Sequence, residues 1–338
     1  MEAYDLVIVG GGPVGLFAAT LARLHGLATC VLESLPAFGG QLYALYPEKP
    51  IYDVAGFTGI TGKDLAQQLY AQATHWGPTL YANQAVQRIA RRPDGAGFEV
   101  ETPDRRYQAR SLLITVGLGA FVPRPLPADN AERFRDRGVY YLLPPLDTFR
   151  DQRVLVVGGG DTALDWTLAL APRAREVKLV HRRPQFRGQA ESLRQIQAAP
   201  NVTIHTPYEL VRVEGDDAVR QVVVREVTSR AEAAWPVDAV VSGLGFLPSL
   251  GPVKEWGLAL DGQALVVDPA TMQTNQPGIY AAGDGVHYPG KVKLIATGFG
   301  EVGIAMAQIR HYLDPSKHGL PHSTTLKTLP QPAPPQPS

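Results

Sequence analysis

Gly10-Gly11-Gly12-Pro13-Val14-Gly15 and Gly158-Gly159-Gly160-Asp161-Thr162-Ala163 repeat one phrase, and each meets a polar residue 23 positions after its first glycine: Glu33 in the first copy, His181 in the second. A glycine turn of this spacing, after a strand and before a helix, lets backbone N–H groups approach a pyrophosphate, and a residue roughly 20 positions on reaches the adenosine ribose. Gly10 and Gly12 give that approach in the first copy, and Gly15 lets helix and strand close on each other. Gly158 and Gly160 do the same in the second, with Ala163 a permitted small residue in the third glycine's place. Glu33 suits free ribose hydroxyls. His181, followed by Arg182, Arg183 and Arg187, suits a 2′-phosphate, because arginine presents forked planar donors to phosphate oxygens. Two dinucleotides are expected, one without and one with that phosphate, and FAD with NADPH is the simplest pair.

Three further residues admit more than one chemistry. Asp284 follows an apolar strand and Gly283; its carboxylate suits either ribitol hydroxyls or a helix cap. Tyr46 lies in a glycine- and aromatic-rich stretch, 38–62, that is too long for a simple connector. Its ring suits stacking on an isoalloxazine or ordinary packing. His322 is either solvated or carried to a flavin across a domain or subunit boundary, since the chain from Leu313 to His322 spans about 30 Å when extended. Cys30, the single cysteine, sits in apolar Ala28-Thr29-Cys30-Val31-Leu32 and reads as an inert core thiol. One cysteine permits no intrachain disulfide, no CxxC pair and no cysteine metal site.

The elements that must position these residues follow from periodicity and turn chemistry. Strands are expected at Tyr4–Val9 and Ala28–Leu32 around a helix at Pro13–His25, since proline is tolerated in a first helical turn. A helix at Asp64–Trp76 follows, then strands near 84–89, 97–101 and 106–109 with a hairpin turn at Pro93-Asp94-Gly95, and a buried strand at Leu112–Val116. The second unit begins with a strand at Arg153–Val157, a helix from about Asp161 to Leu170 and a strand at Glu176–Val180. Strands near 202–205, 209–213, 219–227 and 237–241 extend it. Strands at 265–268 and 278–282 and a closing helix at Leu294–Tyr312 complete the first unit. The fold class is therefore α/β, with two Rossmann-like domains, the second inserted into the first: 1–117 plus 244–330 around 118–243. Residues 331–338 form a proline-rich tail expected to be disordered or extended.

Composition narrows the alternatives. The 338 residues suffice for two domains, and 45% hydrophobic residues with a mean hydropathy of -0.08 are those of a soluble globular protein. Lys+Arg and Asp+Glu balance at 32 each, which gives no sign of nucleic-acid binding. No apolar run approaches the ~18 residues of a membrane span, and Met1-Glu2-Ala3 lacks the basic start of a signal peptide. A cytoplasmic location fits.

The quoted motifs, together with Gly39-Gly-Gln-Leu42, Ala44-Leu-Tyr-Pro-Glu-Lys49, Ile51-Tyr-Asp-Val-Ala-Gly56, Lys293-Leu-Ile-Ala296 and His322-Ser-Thr324, resemble the thioredoxin-reductase-like ferredoxin–NADP reductases of bacteria over nearly the whole chain. The resemblance implies the thioredoxin reductase type of fold, a homodimer and a non-covalent FAD in each subunit. It implies FAD contacts from Val14, Glu33, Gln41, Tyr46, Val86, Phe121, Asp284 and Thr324, alongside the glycine turn. Tyr46 is implied to stack on one flavin face and His322 of the partner subunit to cover the other, both as stacking and gating groups rather than acids. NADPH contacts are expected from Gly158, Gly160, Asp161, Thr162, His181, Arg182, Arg183 and Arg187. Thioredoxin reductase itself is excluded, because the stretch before the second glycine turn, Gly138-Val-Tyr-Tyr-Leu-Leu-Pro-Pro145, has no CxxC.

The expected reaction passes a hydride from NADPH to flavin N5 and then single electrons to ferredoxin, with no metal required. The inserted domain is expected to rotate on Gly117-Leu118-Gly119 and Gly243-Leu244-Gly245. Ferredoxins are usually acidic, so Arg88, Arg91, Arg92, Arg105, Arg106 and Arg110 form a candidate dock. The rival readings are an NADPH oxidoreductase for flavodoxin, free flavin, ferric iron or a quinone, and a flavin redox sensor that does not turn over.

Overall fold

The computed structural model describes residues 2–117 and 119–326. The chain divides into two compact units, 1–120 with 248–338 and 121–247, so the crossings fall a few residues beyond those expected. The crossing segments Ala120–Pro123 and Phe246–Ser249 pair as a two-stranded ribbon. Among the described residues no helix is long and apolar enough to cross a membrane.

In the first unit, Glu2–Val9 runs parallel to Thr29–Leu32, which pairs in turn with Thr79–Tyr81. On its other side Glu2–Val9 runs parallel to Arg106–Ile114. The intervening helix, Pro13–Leu24, buries Leu16, Ala18, Ala19 and Ala22. Small residues on that face bring the helix close to a sheet whose Leu6, Val7, Ile8 and Val31 are fully buried. Each such aliphatic side chain contributes about 1.5–3 kcal/mol.

Residues 106–109 and 112–116, expected as two strands, are one nine-residue strand, Arg106–Ile114. Its alternation breaks because its partners change. The first half pairs antiparallel with Phe98–Glu101 and faces water at Arg106 and Arg110, whereas Leu112–Ile114 pairs parallel with Ile279–Ala281 and is buried on both faces. Arg88–Arg91 completes the hairpin through the Pro93-Asp94-Gly95 turn, where the Gly95 N–H donates to the Arg92 carbonyl. The closing helix is Ile295–Leu313.

The second unit has an all-parallel sheet in the spatial order 139–140, 239–242, 153–157, 176–180, 202–205. A separate antiparallel sheet joins Tyr208–Gly215, Val219–Glu226 and Glu232–Pro236. The last of these strands and the helix Ala190–Ala198 were not expected from the sequence. The strand is an exposed edge, and the helix buries only Ile196.

Candidate nucleotide sites

The first glycine turn is bounded by contacts that only glycine permits. A Cβ on Gly15 would stand 1.9 Å from the Gly10 carbonyl oxygen, so the helix starts directly against the strand end. Gly12 precedes that helix without a side-chain cap, no acid stands in the first turn, and Pro13 has no N–H to satisfy. The helix N-terminus therefore offers N–H donors and a positive dipole end to an anion.

Glu33 is 5% exposed and not a solvated strand-end charge. One carboxylate oxygen accepts the Gly11 N–H at 2.7 Å, and the other accepts the Leu35 N–H at 2.8 Å and the Ser34 hydroxyl at 3.2 Å. A carboxylate has about four acceptor sites, which leaves room for a ribose hydroxyl. Val86 is buried two residues past Gln84, whose N–H donates to the Glu33 carbonyl.

Val14, Gln41, Tyr46 and Asp284 gather around the same strand ends. The Val14 side chain lies against Gly283 and Gly298, Gln41 lies beside Gly117, and the Gly117 carbonyl lies against Gly285. Tyr46 is half-buried, and its hydroxyl is held above its usual pKa range first by burial and then by the carboxylates of Asp284 and Asp53. The ring is thus a half-buried plate whose hydroxyl feels the carboxylate of Asp284, the expected ribitol acid.

What the sequence reading missed here is Glu301. It lies in the apolar stripe Gly298, Glu301, Val302, Ala305, Met306 and Ile309 of the closing helix and is 3% exposed. Its carboxylate accepts the Gly283 N–H at 2.7 Å and the Tyr288 hydroxyl at 2.6 Å, and pairs with the buried Lys291 ammonium. Burial and the Glu301 bond push the Tyr288 hydroxyl up to about 12. A charge inside an otherwise apolar helical stripe was the available signal, since such a group must find a partner. The network fixes the Ala282–Gly283 peptide, one residue before Asp284.

The second glycine turn lies in the other unit. A cleft of about 560 Å³ is lined by Gly158, Gly159, Gly160, Thr162, His181, Arg182, Arg183, Arg187, Gly243–Gly245 and Arg124. The segment after His181 folds back over the turn: the Arg187 N–H donates to the Gly159 carbonyl at 2.7 Å, and the Gln189 N–H donates to Asp161 Oδ1 at 2.9 Å. Asp161 thereby anchors the loop that carries the arginines.

His181 differs in kind from its neighbours. Its ring lies against Gly159, where any Cβ would stand 2.4 Å from it, and its Nε2 is buried without a hydrogen-bond partner. Burial first, then the guanidinium groups of Arg182, Arg183 and Arg187, hold it below its usual range. The positive charge of the cluster is thus carried by Arg182, Arg183 and Arg187, which are exposed, while His181 packs beneath the turn.

His322 and Thr324 occupy an exposed turn whose hydrogen bonds are internal, with the Thr325 N–H and hydroxyl both donating to the His322 carbonyl. The Phe121 side chain and the tail 331–338 lie outside the described part. The arginines of the candidate dock are engaged by groups of the hairpin and of neighbouring segments of the first unit. Arg88 pairs with Glu101, Arg92 with Asp94, Arg106 with Glu99 and Glu101, and Arg110 with Asp5. Arg91 donates to the Pro277 carbonyl and covers Phe98, and Arg105 covers the Tyr81 ring. On that face Arg88, Arg92, Arg106 and Arg110 are thus paired with acids, although Arg88, Arg106 and Arg110 stay largely exposed. Among the described residues no three His, Cys, Asp or Glu side chains converge to hold a metal ion.

A family model described as pyridine nucleotide-disulphide oxidoreductase matches residues 4–308. The ferredoxin–NADP reductase of Geobacillus kaustophilus is 43% identical over 327 residues, covering 96% of this chain and 98% of that protein. The ferredoxin–NADP reductase 2 of Shouchella clausii is 44% identical with the same coverage. Among solved structures, the thioredoxin reductase of Lactococcus lactis, in a form designated the FR conformation, superposes with a TM-score of 0.74 at 25% identity, covering 92% of this chain and 99% of that one.

Proposed function

Because the chain belongs to the pyridine nucleotide-disulphide oxidoreductase family, we propose that it is a ferredoxin–NADP reductase that moves electrons between NADPH and ferredoxin through FAD. The observation that carries this reading is the pair of glycine turns finished with opposite chemistry. One ends on a buried carboxylate already held by N–H and O–H donors, the other on exposed arginines without acid partners among the described residues. The single cysteine supports a carrier other than a protein dithiol, because an intrachain disulfide cannot form.

In this reading the unit containing residues 1–120 holds FAD. Gly10, Gly12 and Gly15 admit the pyrophosphate, Glu33 the ribose, and Asp284 the ribitol, with Val14, Gln41 and Val86 alongside. Tyr46 covers one face of the ring system. The unit 121–247 holds NADP(H): Gly158, Gly160 and Thr162 at the pyrophosphate, and Arg182, Arg183 and Arg187 on the 2′-phosphate, with Asp161 holding their loop. Bound FAD supplies the chemistry, exchanging a hydride on one side for single electrons on the other. The chain's own residues bind, orient and shield. The protein works as a cytoplasmic homodimer, in which His322 and Thr324 of one protomer reach the flavin site of its partner, and it engages neither nucleic acid nor membrane.

Anaerobic stopped flow tests the reading. Flavin bleaching should be fast with NADPH and slow with NADH, and ferredoxin should then reoxidise the flavin rapidly with a salt-sensitive rate. Bleaching without ferredoxin reoxidation would reassign the acceptor to flavodoxin, free flavin, ferric iron or a quinone. No bleaching by either nucleotide would remove the enzymatic reading in favour of a flavin sensor.

A further inference from the structure

Arg124 was not among the residues read from the sequence, yet it lines the same cleft as Arg182, Arg183 and Arg187. It comes from a different element. It follows the crossing strand Ala120–Pro123, stands between Pro123 and Pro125, and its N–H donates to the Gly245 carbonyl at 3.0 Å. Two prolines and that bond leave its backbone little freedom.

Its side chain is exposed and has no carboxylate partner among the described residues, and neither have those of Arg182, Arg183 and Arg187. Elsewhere in this unit such partners are common. Arg135 pairs with Glu132 at 2.8 Å, Arg153 with Asp238 at 2.6 Å, Arg212 with Glu214 at 2.6 Å and Arg225 with Glu232 at 2.9 Å. The cleft also has one lining carboxylate, Glu209, which is paired with Arg225 and Arg230, so the four guanidinium groups of Arg124, Arg182, Arg183 and Arg187 suit an occupant with more than one anionic group.

Sheet order separates their targets. Strand Arg153–Val157, which leads into the glycine turn, lies between Glu176–Val180 on one side and Ala239–Ser242 on the other. The 182–187 cluster follows the first neighbour, the adenosine side. Gly243–Gly245, to which Arg124 is bonded, follows the second. The backbone of Arg124 is therefore anchored at the strand end on the other side of the glycine turn from the one that carries the 182–187 cluster.

Resting on the nucleotide assignment above, we propose that Arg124 clamps the pyrophosphate of bound NADP(H) against the Gly158–Gly160 turn, adding affinity that does not discriminate NADP from NAD. The pyrophosphate is common to both nucleotides. The 2′-phosphate, read by the 182–187 cluster, belongs to NADP alone. The planar fork of arginine fits two phosphate oxygens at once, which a lysine cannot do.

The test is equilibrium binding to the flavin-loaded, oxidised protein, measured by calorimetry for NADP⁺ and 2′-AMP and by competition for NAD⁺. Arg124→Ala should weaken NADP⁺ and NAD⁺ by the same factor, about tenfold or more, and leave 2′-AMP unchanged. Arg124→Lys should recover only part of the loss. In the control, Arg183→Ala should weaken NADP⁺ and 2′-AMP but not NAD⁺. Equal affinities before and after Arg124→Ala would overturn the inference, as would a loss confined to NADP⁺ and 2′-AMP. A parent protein that binds neither dinucleotide would overturn the assignment on which the inference rests, whatever the variants do.

Discussion

Glu33 and His181 stand at the same distance from their glycine turns, but the structure finishes the two positions with different physics. Glu33 is buried and already bonded to Gly11, Ser34 and Leu35. The wall beyond it, at Gly283–Asp284, is fixed by the buried Glu301–Lys291 pair. At the second turn the corresponding residue is tucked under Gly159, and exposed arginines face the cleft. A site built from satisfied, buried polar groups suits an occupant that stays. A site built from solvated charges suits one that exchanges, because little internal structure depends on its arrival.

The sharpest way to break this comparison is at Lys291. Lys291→Met leaves the buried Glu301 carboxylate without its cation, which should cost about 3–5 kcal/mol and release the flavin. Denaturant melts and flavin content measure both effects, and adding Glu301→Gln should restore part of the loss. A Lys291→Met protein that keeps its flavin and its stability would end the claim that the first site depends on internal charge. The matching experiment on the second site is Arg182→Ala. It should weaken NADP⁺ binding by roughly ten- to a hundredfold, worth about 1.5–3 kcal/mol, yet move unfolding by less than about 0.5 kcal/mol.

Acid should separate the units more gently. His181 and His205, both in the second unit, are held below their usual range chiefly by burial, whereas in the first unit the same is true of His25. A histidine kept neutral in the fold contributes full stability above the unfolded pKa of about 6.5, and that contribution is lost as pH falls from there through the lowered folded value. Stability should therefore decline below about pH 6.5. His205→Asn should flatten the decline if the variant keeps the ring's place against Trp235, 4.4 Å away. A pH-independent stability from pH 7 to 5 would contradict the buried neutral rings. The smallest effect is expected at the hairpin. Reversing Arg88 and Arg106 to Glu disturbs pairs that are already internal and should leave the KM for ferredoxin unchanged, whereas a large rise would reinstate that face as the dock.

The glycine turns were legible because a strand, a turn without side chains and a helix must follow one another in a fixed order for a backbone to meet a phosphate. The parallel strand Arg153–Val157 was legible as the apolar run Val154–Val157, and Glu176–Val180 as an apolar segment interrupted only by Lys178. Elements that bury little were not: Glu232–Pro236 has no apolar alternation, and Ala190–Ala198 follows a loop of arginine, proline and glycine. At the sites, Glu301 and Arg124 escaped for one reason. Each is defined by what lies near it across the fold, a Gly283 N–H in one case and a cleft in the other, and neither belongs to a short phrase. The hairpin arginines misled in the opposite sense, since their acid partners Glu99, Glu101 and Asp5 sit on other strands.

Cys30 is fully buried, and burial pushes its thiol far above the ordinary range, so almost no thiolate exists near neutral pH. With no other cysteine in the chain, the native protein should be silent toward maleimide dyes. Cysteines placed at Tyr52 in the first unit and Asp216 in the second, both well exposed, can carry a donor and an acceptor fluorophore without removing any native residue from the core. Energy transfer between them would then follow the separation of the two units, molecule by molecule, as nucleotide and carrier come and go.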